Sequence, residues 1–167
     1  LALMDPTASM PLALAGFDSD NSPLRREAEE LGLGQRVLWL GWVPEADLPA
    51  LYSAAHALLF PSLVEGFGFP VLEAMACGTP VVCSALGVHK EITDGAAKLV
   101  HPIDRQEWRR AIHAAIISLD WHDAYRDKGL ARAARFSWTE TARATLEIYR
   151  QLYPKPFAHS TKPASAE

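Results

Sequence analysis

The chain has 167 residues, of which 49% are hydrophobic and 22% are charged, a balance typical of one globular domain with a core of its own. Its net charge is -4 and its basic residues are scattered, which argues against a nucleic-acid partner. The longest nearly apolar run, residues 48–61, is shorter than the ~20 residues that span a bilayer. No signal peptide is evident, so we expect a cytoplasmic protein without a transmembrane segment.

Cysteine and histidine show no spacing typical of a metal site. Neither Cys77 nor Cys83 has a second cysteine or a histidine at zinc-ligand distance along the sequence. Both are expected to be small, buried and reduced side chains. The six histidines are also far apart in sequence and show no ligand spacing. We therefore expect no bound metal.

Five short runs rich in Leu and Val predict β-strands. They alternate with amphipathic stretches, the pattern of a parallel sheet covered by helices, so we predict an α/β fold. The predicted strands are residues 12–15, 36–40, 57–60, 80–83 and 97–100. Most of them are continuously apolar, as strands buried on both faces should be.

The stretches between the strands predict helices. The first, residues 23–33, has Ser22 as its N-cap and Pro23 at its first position. The others are residues 47–55, 70–76, a helical turn at 91–95, and residues 105–119, 123–136 and 137–152. Ser137 and Glu140 have the form of a capping box. Residues 154–167 contain three prolines and predict a flexible tail, which leaves residues 1–153 as the predicted domain.

The most informative segment, residues 61–82, begins where the third predicted strand ends. Gly66 and Gly68 remove side chains where the backbone must turn tightly or approach a ligand, and Pro70 begins a helix whose first N–H groups lack internal partners. Open parallel sheets bind ligands beyond the carboxyl ends of their strands, where a helix N-terminus favours anionic groups such as a diphosphate, or hydroxyls. A nucleotide or a sugar fits this geometry.

Two carboxylates accompany this loop. Glu65 precedes the predicted helix and Glu73 lies at its fourth position, so both can face one cleft. Each carboxylate presents two acceptor oxygens, which suit a vicinal diol, and the pair could hold two sugar rings of one ligand. Apolar neighbours at helical spacing indicate that Glu73 is not on a solvated face. In the structural alternative, Glu65 caps the helix, Glu73 is half-exposed and the glycines serve only the turn.

The segment resembles the Glu-x7-Glu signature of a large family of retaining glycosyltransferases (glycosyl transferases group 1, family 4). This family includes bacterial mannosyl- and glucosyltransferases. The matching positions are Pro61-Ser62, Glu65-Gly66-Phe67-Gly68, Pro70, Glu73-Ala74-Met75-Ala76, Gly78 and Pro80-Val81-Val82. Other stretches in the family's order, among them Leu40-Gly41-Trp42-Val43, Leu51-Tyr52, Gly87 through Glu91 and Phe136-Ser137-Trp138, extend the resemblance over about residues 12–149.

The resemblance implies the C-terminal, donor-binding half of a GT-B fold, which is a Rossmann-like parallel sheet between layers of helices, here without its first strand. It implies that Glu65 is the catalytic residue and lies against the donor hexose, and that Glu73 accepts hydrogen bonds from the ribose. The loop after the second strand would contact the base. The implied donor-binding residues are Val43, Glu45, Gly66, Phe67, Gly68, Phe69 and Glu73.

The implied reaction transfers a hexose such as mannose or glucose from a GDP-mannose or UDP-glucose type donor to a glycan or lipid-linked acceptor, with retention and without a metal. In the family an Arg and a Lys near the first strand hold the diphosphate, and an N-terminal domain binds the acceptor. This chain begins too late to contain them, and residues 1–4 would end the helix that follows that loop. We expect the chain alone to be inactive and to bind nucleotide weakly or not at all.

The sequence bears on three other function classes. A non-catalytic interaction domain that kept the fold remains the alternative. A dehydrogenase half would need a Gly-x-Gly-x-x-Gly turn after a strand, which the sequence lacks. Glycoside hydrolases also use two carboxylates, but theirs flank the scissile bond, whereas Glu73 is implied to hold a ribose, so we exclude that class. The resemblance leaves open a peripheral association of the full-length enzyme with the inner membrane face.

Overall fold

The computed structural model describes residues 10–16 and 22–153. Five strands alternate with helices along this part of the chain. The strands are β1 (Leu12–Ala15), β2 (Val37–Gly41), β3 (Leu58–Phe60), β4 (Val81–Ser84) and β5 (Lys98–Val100). Each lies within one residue of its predicted position at either end, because each coincides with a short apolar run between turns.

The helices follow the predicted order. They are α1 (Pro23–Glu30), α2 (Leu48–Ala54), α3 (Phe69–Ala76), α4 (Gly87–Thr93), α5 (Arg105–Ile117), α6 (Leu119–Ala133) and α7 (Trp138–Leu152), with a short 3-10 helix at Gly34–Arg36. No helix within the described ranges is long and apolar enough to cross a membrane.

Three helices depart furthest from their predicted bounds. α1 ends at Glu30 because Gly32 adopts a φ of 68°, which stops the helix early. α4 occupies residues 87–93 instead of a turn at 91–95, and it begins without a side-chain cap that the sequence could signal. α6 begins at Leu119 instead of Asp123, since the Ser118 hydroxyl caps it by accepting the N–H of Trp121 at 3.2 Å.

All strand pairs are parallel, which confirms the α/β class. The strands form two sheets where one was expected: β1 pairs with β2, and β3, β4 and β5 form a three-stranded sheet with β4 in the middle. Only β4 is buried along its whole length, whereas β1, β2 and β3 are partly exposed. Burial of most strands on both faces was therefore a wrong expectation, because only the middle strand is covered on every side.

The core lies where α5 covers the three-stranded sheet. Its fully enclosed members are Val82, Val100, Ala111 and Ala115, and Ala57, Leu59, Trp108 and Trp121 pack against them. The two alanines are one turn apart on α5, so their small side chains let the helix approach the sheet closely.

α6 approaches α3 closely at Gly129. A Cβ atom at this position would lie 3.3 Å from Met75 Cγ and 3.5 Å from Met75 Cα. Val71, Ala74 and Met75 are all fully buried, so α3 is fixed by packing along one side. The helix that follows the glycine-rich loop is therefore a rigid element.

The chain divides into two compact units, one up to Ala134 and one from Arg135 onward. In the second unit the described element is α7, whose N-cap Ser137 accepts the N–H of Glu140 at 3.4 Å, as predicted. The predicted tail at residues 154–167 and the predicted helix end at residues 1–4 fall outside the described residues.

We expect Val82→Ala to lower the free energy of unfolding by roughly 2 kcal/mol, because it removes buried methyl groups and leaves a cavity. Val82 is fully buried in β4. Val64→Ala is the matched control, since Val64 is 88% exposed and the same change should leave stability within about 0.5 kcal/mol. Urea denaturation of both variants measures the difference, and equal midpoints would contradict the assignment of the core.

Candidate functional site

The loop after β3 and the helix after β4 lie side by side. β3 and β4 are parallel neighbours, with Phe60 paired to Cys83, so their carboxyl ends meet at one edge of the sheet. The Phe60 ring meets the His89 ring of α4 edge to face, with 5.6 Å between the ring centroids. Residues 61–68 therefore run past α4 before α3 begins.

Gly68 is the tightest point of this segment. It is buried, has a φ of 94° and a ψ of 48°, and is the N-cap of α3. A Cβ atom built on it would lie 3.2 Å from both Cδ2 and Nε2 of His89 and 3.3 Å from Ile92 Cδ1. Two independent features favour glycine here: the backbone is left-handed, and a Cβ atom would require His89 and Ile92 to move by a few tenths of an ångström.

The start of α3 offers fewer N–H donors than the sequence predicts. The helix begins at Phe69 instead of Pro70, and Pro70 has no N–H to offer. The N–H of Val71 already donates to the Gly68 carbonyl at 3.0 Å. The backbone N–H groups that could bind an anion are therefore those of the loop and of the first residue of the helix.

Glu65 lies half-buried in the loop before α3. Its Oε1 accepts the N–H of Gly66 at 3.1 Å, within the loop itself. One carboxylate oxygen is held by the loop itself, and the second can accept hydrogen bonds from a ligand.

Glu73 is exposed on α3, contrary to the expectation that it avoids the solvated face. Val71, Ala74 and Met75 turn to the core instead, which leaves Glu73 on the outer side of the helix. Its Oε2 accepts a hydrogen bond from the hydroxyl of Tyr52, at 3.1 Å. Partial burial, followed by the charge of Glu73 and this hydrogen bond, raises the pKa of Tyr52 above its usual value.

His89 is fully buried beneath the loop. Its Nδ1 lies 2.7 Å from the carbonyl oxygen of Ser84 and must donate to it, since a carbonyl can only accept. Within the described residues its Nε2 has no hydrogen-bond partner. The contact of His89 with Gly68 could not be predicted from the sequence, because a histidine without ligand spacing gives no signal of such a contact.

α4 is itself held in place by α6. The guanidinium of Arg132 donates to the carbonyl oxygens of Glu91 and Ile92, both at 2.8 Å, and thus covers the end of α4. The hydroxyl of Thr93 donates to the carbonyl of His89 at 2.7 Å. These contacts fix the ring of His89 and, through it, the path of the backbone at Gly68.

The other predicted site residues lie in two places. The rings of Phe67 and Phe69 are 4.6 Å apart and tilted by 37°, next to the glycines. Val43 and Glu45 lie in the connection from β2 to α2, the first half-buried and the second exposed. α2 packs against α3, so this connection leads into a helix that borders the site, but the structure shows no contact of Val43 or Glu45 that tests a role in base binding.

Within the described ranges, no group of three or more His, Cys, Asp or Glu side chains could hold a metal ion. Cys83 is buried in β4, where burial raises the pKa of its thiol to about 12, and Cys77 is half-buried. Both are free thiols. Cys83 therefore stays protonated at neutral pH and acts as a small core residue.

We expect Gly68→Ala to lower the free energy of unfolding by about 2 kcal/mol, because it combines a left-handed backbone with a close contact to His89. Gly66→Ala is the matched control, since nothing lies within 4 Å of a Cβ atom at Gly66. Denaturant unfolding of the two variants checks this. Equal stabilities would show that the loop does not press on His89.

The chain is similar in sequence and in fold to known proteins. The family model described as Glycosyl transferases group 1 matches residues 5–126. The O-antigen chain mannosyltransferase B of Escherichia coli is 35% identical over 150 residues, which cover 89% of this chain and 39% of the relative.

Two solved structures share the fold. Sucrose-phosphate synthase from Thermosynechococcus elongatus has a TM-score of 0.77 at 32% identity, over 89% of this chain and 40% of that chain. Anabaena HepE in complex with UDP has a TM-score of 0.79 at 26% identity, over 90% of this chain and 43% of that chain, and it has also been solved with UDP-glucose. These likenesses confirm an α/β fold of the GT-B glycosyltransferase kind.

The chain spans about two-fifths of the length of these relatives. The family match itself covers the loop after β3, α3 and α4, which together form the candidate site. The chain belongs to the glycosyl transferases group 1 family.

Proposed function

We propose that this chain is the donor-binding part of a retaining glycosyltransferase that moves a hexose from a nucleoside diphosphate to a glycan or lipid-linked acceptor. The observation that carries the proposal is the segment from Glu65 to Glu73. This segment contains the half-buried carboxylate of Glu65, the backbone of Gly68 without a side chain, and the carboxylate of Glu73 on a packed helix.

Each part of the segment suits one part of the donor. Glu65 lies against the hexose, where its second oxygen accepts sugar hydroxyls, and it is the catalytic residue of the site. The backbone of residues 66–69 lies against the diphosphate and hexose, since glycines permit the closest approach. Glu73, further along α3, accepts the ribose hydroxyls.

The base lies beyond the ribose, towards the connection that carries Val43 and Glu45. This placement is supported by the packing of α2 against α3, because α2 follows that connection directly. A mannosyltransferase among the relatives and a neighbour solved with UDP-glucose make GDP-mannose and UDP-glucose the two donor types to test.

Bond cleavage at the anomeric carbon leaves negative charge on the diphosphate, so groups that meet it bind the transition state more strongly than the ground state. In this chain those groups are the N–H donors of the loop after Glu65. The chain supplies one wall of the reaction cleft. The acceptor meets the donor on a part of the enzyme outside this chain, and a lipid-linked acceptor would be met at the inner membrane face. No metal takes part in this scheme.

Sugar transfer tests the two carboxylates. In a protein that joins this chain to the remaining length found in its relatives, we expect Glu65→Ala to lower kcat at least about 100-fold, because it removes a contact to the reacting sugar. We expect Glu73→Ala to raise the KM for the donor about tenfold, because it removes hydrogen bonds to a charged acceptor away from the reacting bond.

The matched control is Glu29→Ala, which removes an exposed glutamate from α1 and should leave both constants unchanged. Release of the nucleoside diphosphate from GDP-mannose and UDP-glucose measures the rates. A Glu73→Ala variant whose KM for the donor equals that of the unaltered protein would contradict the site. Absence of transfer by the unaltered protein with either donor would favour a non-catalytic interaction domain.

The isolated chain should bind nucleotide only weakly and should not turn over, because a cleft with one wall leaves most of the donor in water. We expect dissociation constants for UDP and GDP on the order of 1 mM, about 4 kcal/mol of binding free energy. Isothermal titration calorimetry of the chain measures this. Micromolar affinity would show that the diphosphate is held by residues of this chain alone.

A further inference from the structure

Tyr52 connects α2 to the second carboxylate of the site. Its hydroxyl donates to Glu73 Oε2 at 3.1 Å, across 21 positions of sequence. The Tyr52 side chain is half-buried, whereas Glu73 is exposed. An exposed glutamate on a helix would otherwise sample several rotamers, so this contact selects one of them.

The position of Tyr52 is fixed from its other end as well. Its backbone carbonyl accepts the hydroxyl of Thr79 at 2.6 Å, and Thr79 is only 2% exposed. The N–H of Thr79 donates in turn to the carbonyl of Ala74 on α3, at 2.9 Å. Tyr52 is thus tied to the end of α3 through its backbone and to the middle of α3 through its hydroxyl.

The Tyr52 hydroxyl is a constant donor. A phenol is protonated throughout the neutral range, and burial and Glu73 raise the pKa of Tyr52 further, so it does not become a competing negative charge beside Glu73. With Oε2 oriented by Tyr52, the carboxylate presents Oε1 and the remaining lone pair of Oε2 in one fixed direction. Two acceptors fixed side by side match the two adjacent hydroxyls of a ribose.

We propose that Tyr52 is a positioning residue that holds Glu73 for the ribose diol, and that selection of ribonucleotides over 2′-deoxyribonucleotides depends on its hydroxyl. This inference rests on the proposed function, in which Glu73 receives the ribose. An oriented acceptor discriminates against a ligand that lacks one hydroxyl, because the missing donor leaves the carboxylate without the partner it was oriented for.

The test compares binding of UDP and GDP with that of their 2′-deoxy counterparts to the 167-residue chain. We expect the unaltered chain to prefer the better-bound ribonucleotide over its deoxy form about tenfold, and Tyr52→Phe to reduce this preference to about twofold. This roughly fivefold change corresponds to about 1 kcal/mol, the typical net value of one hydrogen bond. Titration to about 30 mM nucleotide, followed by amide chemical shifts, covers the dissociation constants of about 1 mM and about 10 mM that a preference of about tenfold implies.

Three variants separate positioning from folding. Tyr52→Phe keeps the ring and the Thr79 contact to the backbone, so its thermal midpoint should stay close to that of the unaltered chain. Tyr149→Phe removes an exposed hydroxyl from α7 and should change neither binding nor selectivity. Glu73→Gln should abolish the preference for the ribonucleotide. Adding Tyr52→Phe to Glu73→Gln should not change the preference any further, because Tyr52 acts through Glu73.

The outcomes distinguish this inference from the function on which it rests. Full selectivity in Tyr52→Phe, with selectivity lost in Glu73→Gln, overturns the positioning role and keeps the donor site. If Tyr52→Phe lowers the affinities for the ribonucleotide and for its 2′-deoxy form equally, Tyr52 has only a structural role, and the positioning role is likewise overturned. Absence of nucleotide-induced shifts in the unaltered chain, or selectivity that survives Glu73→Gln, overturns the proposed ribose contact and the inference together.

Discussion

The backbone of Gly68 passes so close to the buried ring of His89 that any side chain in the turn from β3 into α3 would press on this ring. The ring is restrained, because the Ser84 carbonyl accepts its Nδ1–H and Arg132 donates to the end of the helix that carries it. The start of α3 is therefore fixed against the sheet. Since α3 is also packed along its buried side, the positions of Glu65 before the turn and Glu73 after it follow from this one contact.

The strands and the loop could be predicted because their signals are local. A short apolar run between turn residues predicts a strand whatever surrounds it, and all five strands lie within one residue of the expected places. Ser22 and Ser137 cap helices as predicted, because capping involves only neighbours in sequence. The site loop was found from its own residues and from its resemblance to a family, and the family match confirms that resemblance.

The contacts that give the site its geometry are not local, and the sequence did not predict them. Tyr52 and Glu73 are 21 residues apart, and no periodicity brings their elements together. The exposure of Glu73 depends on which side of α3 packs against the core. The apolar residues around Glu73 in sequence predicted a sheltered position, but Val71, Ala74 and Met75 face the core and Glu73 does not. The start of α4 at Gly87 was not predicted, because no side chain caps it. The separation of the strands into two sheets likewise depends on pairing between distant segments.

The central claim is that Glu65 and Glu73 hold two parts of one nucleotide sugar on either side of Gly68. The most direct measurement is a crystal structure of a protein that joins this chain to the remaining length of its relatives, with a non-transferable analogue of GDP-mannose or UDP-glucose bound. The account predicts ribose hydroxyls about 3 Å from the Glu73 carboxylate and the hexose against Glu65 and the glycines. A donor bound away from α3, or with its ribose turned from Glu73, would contradict it.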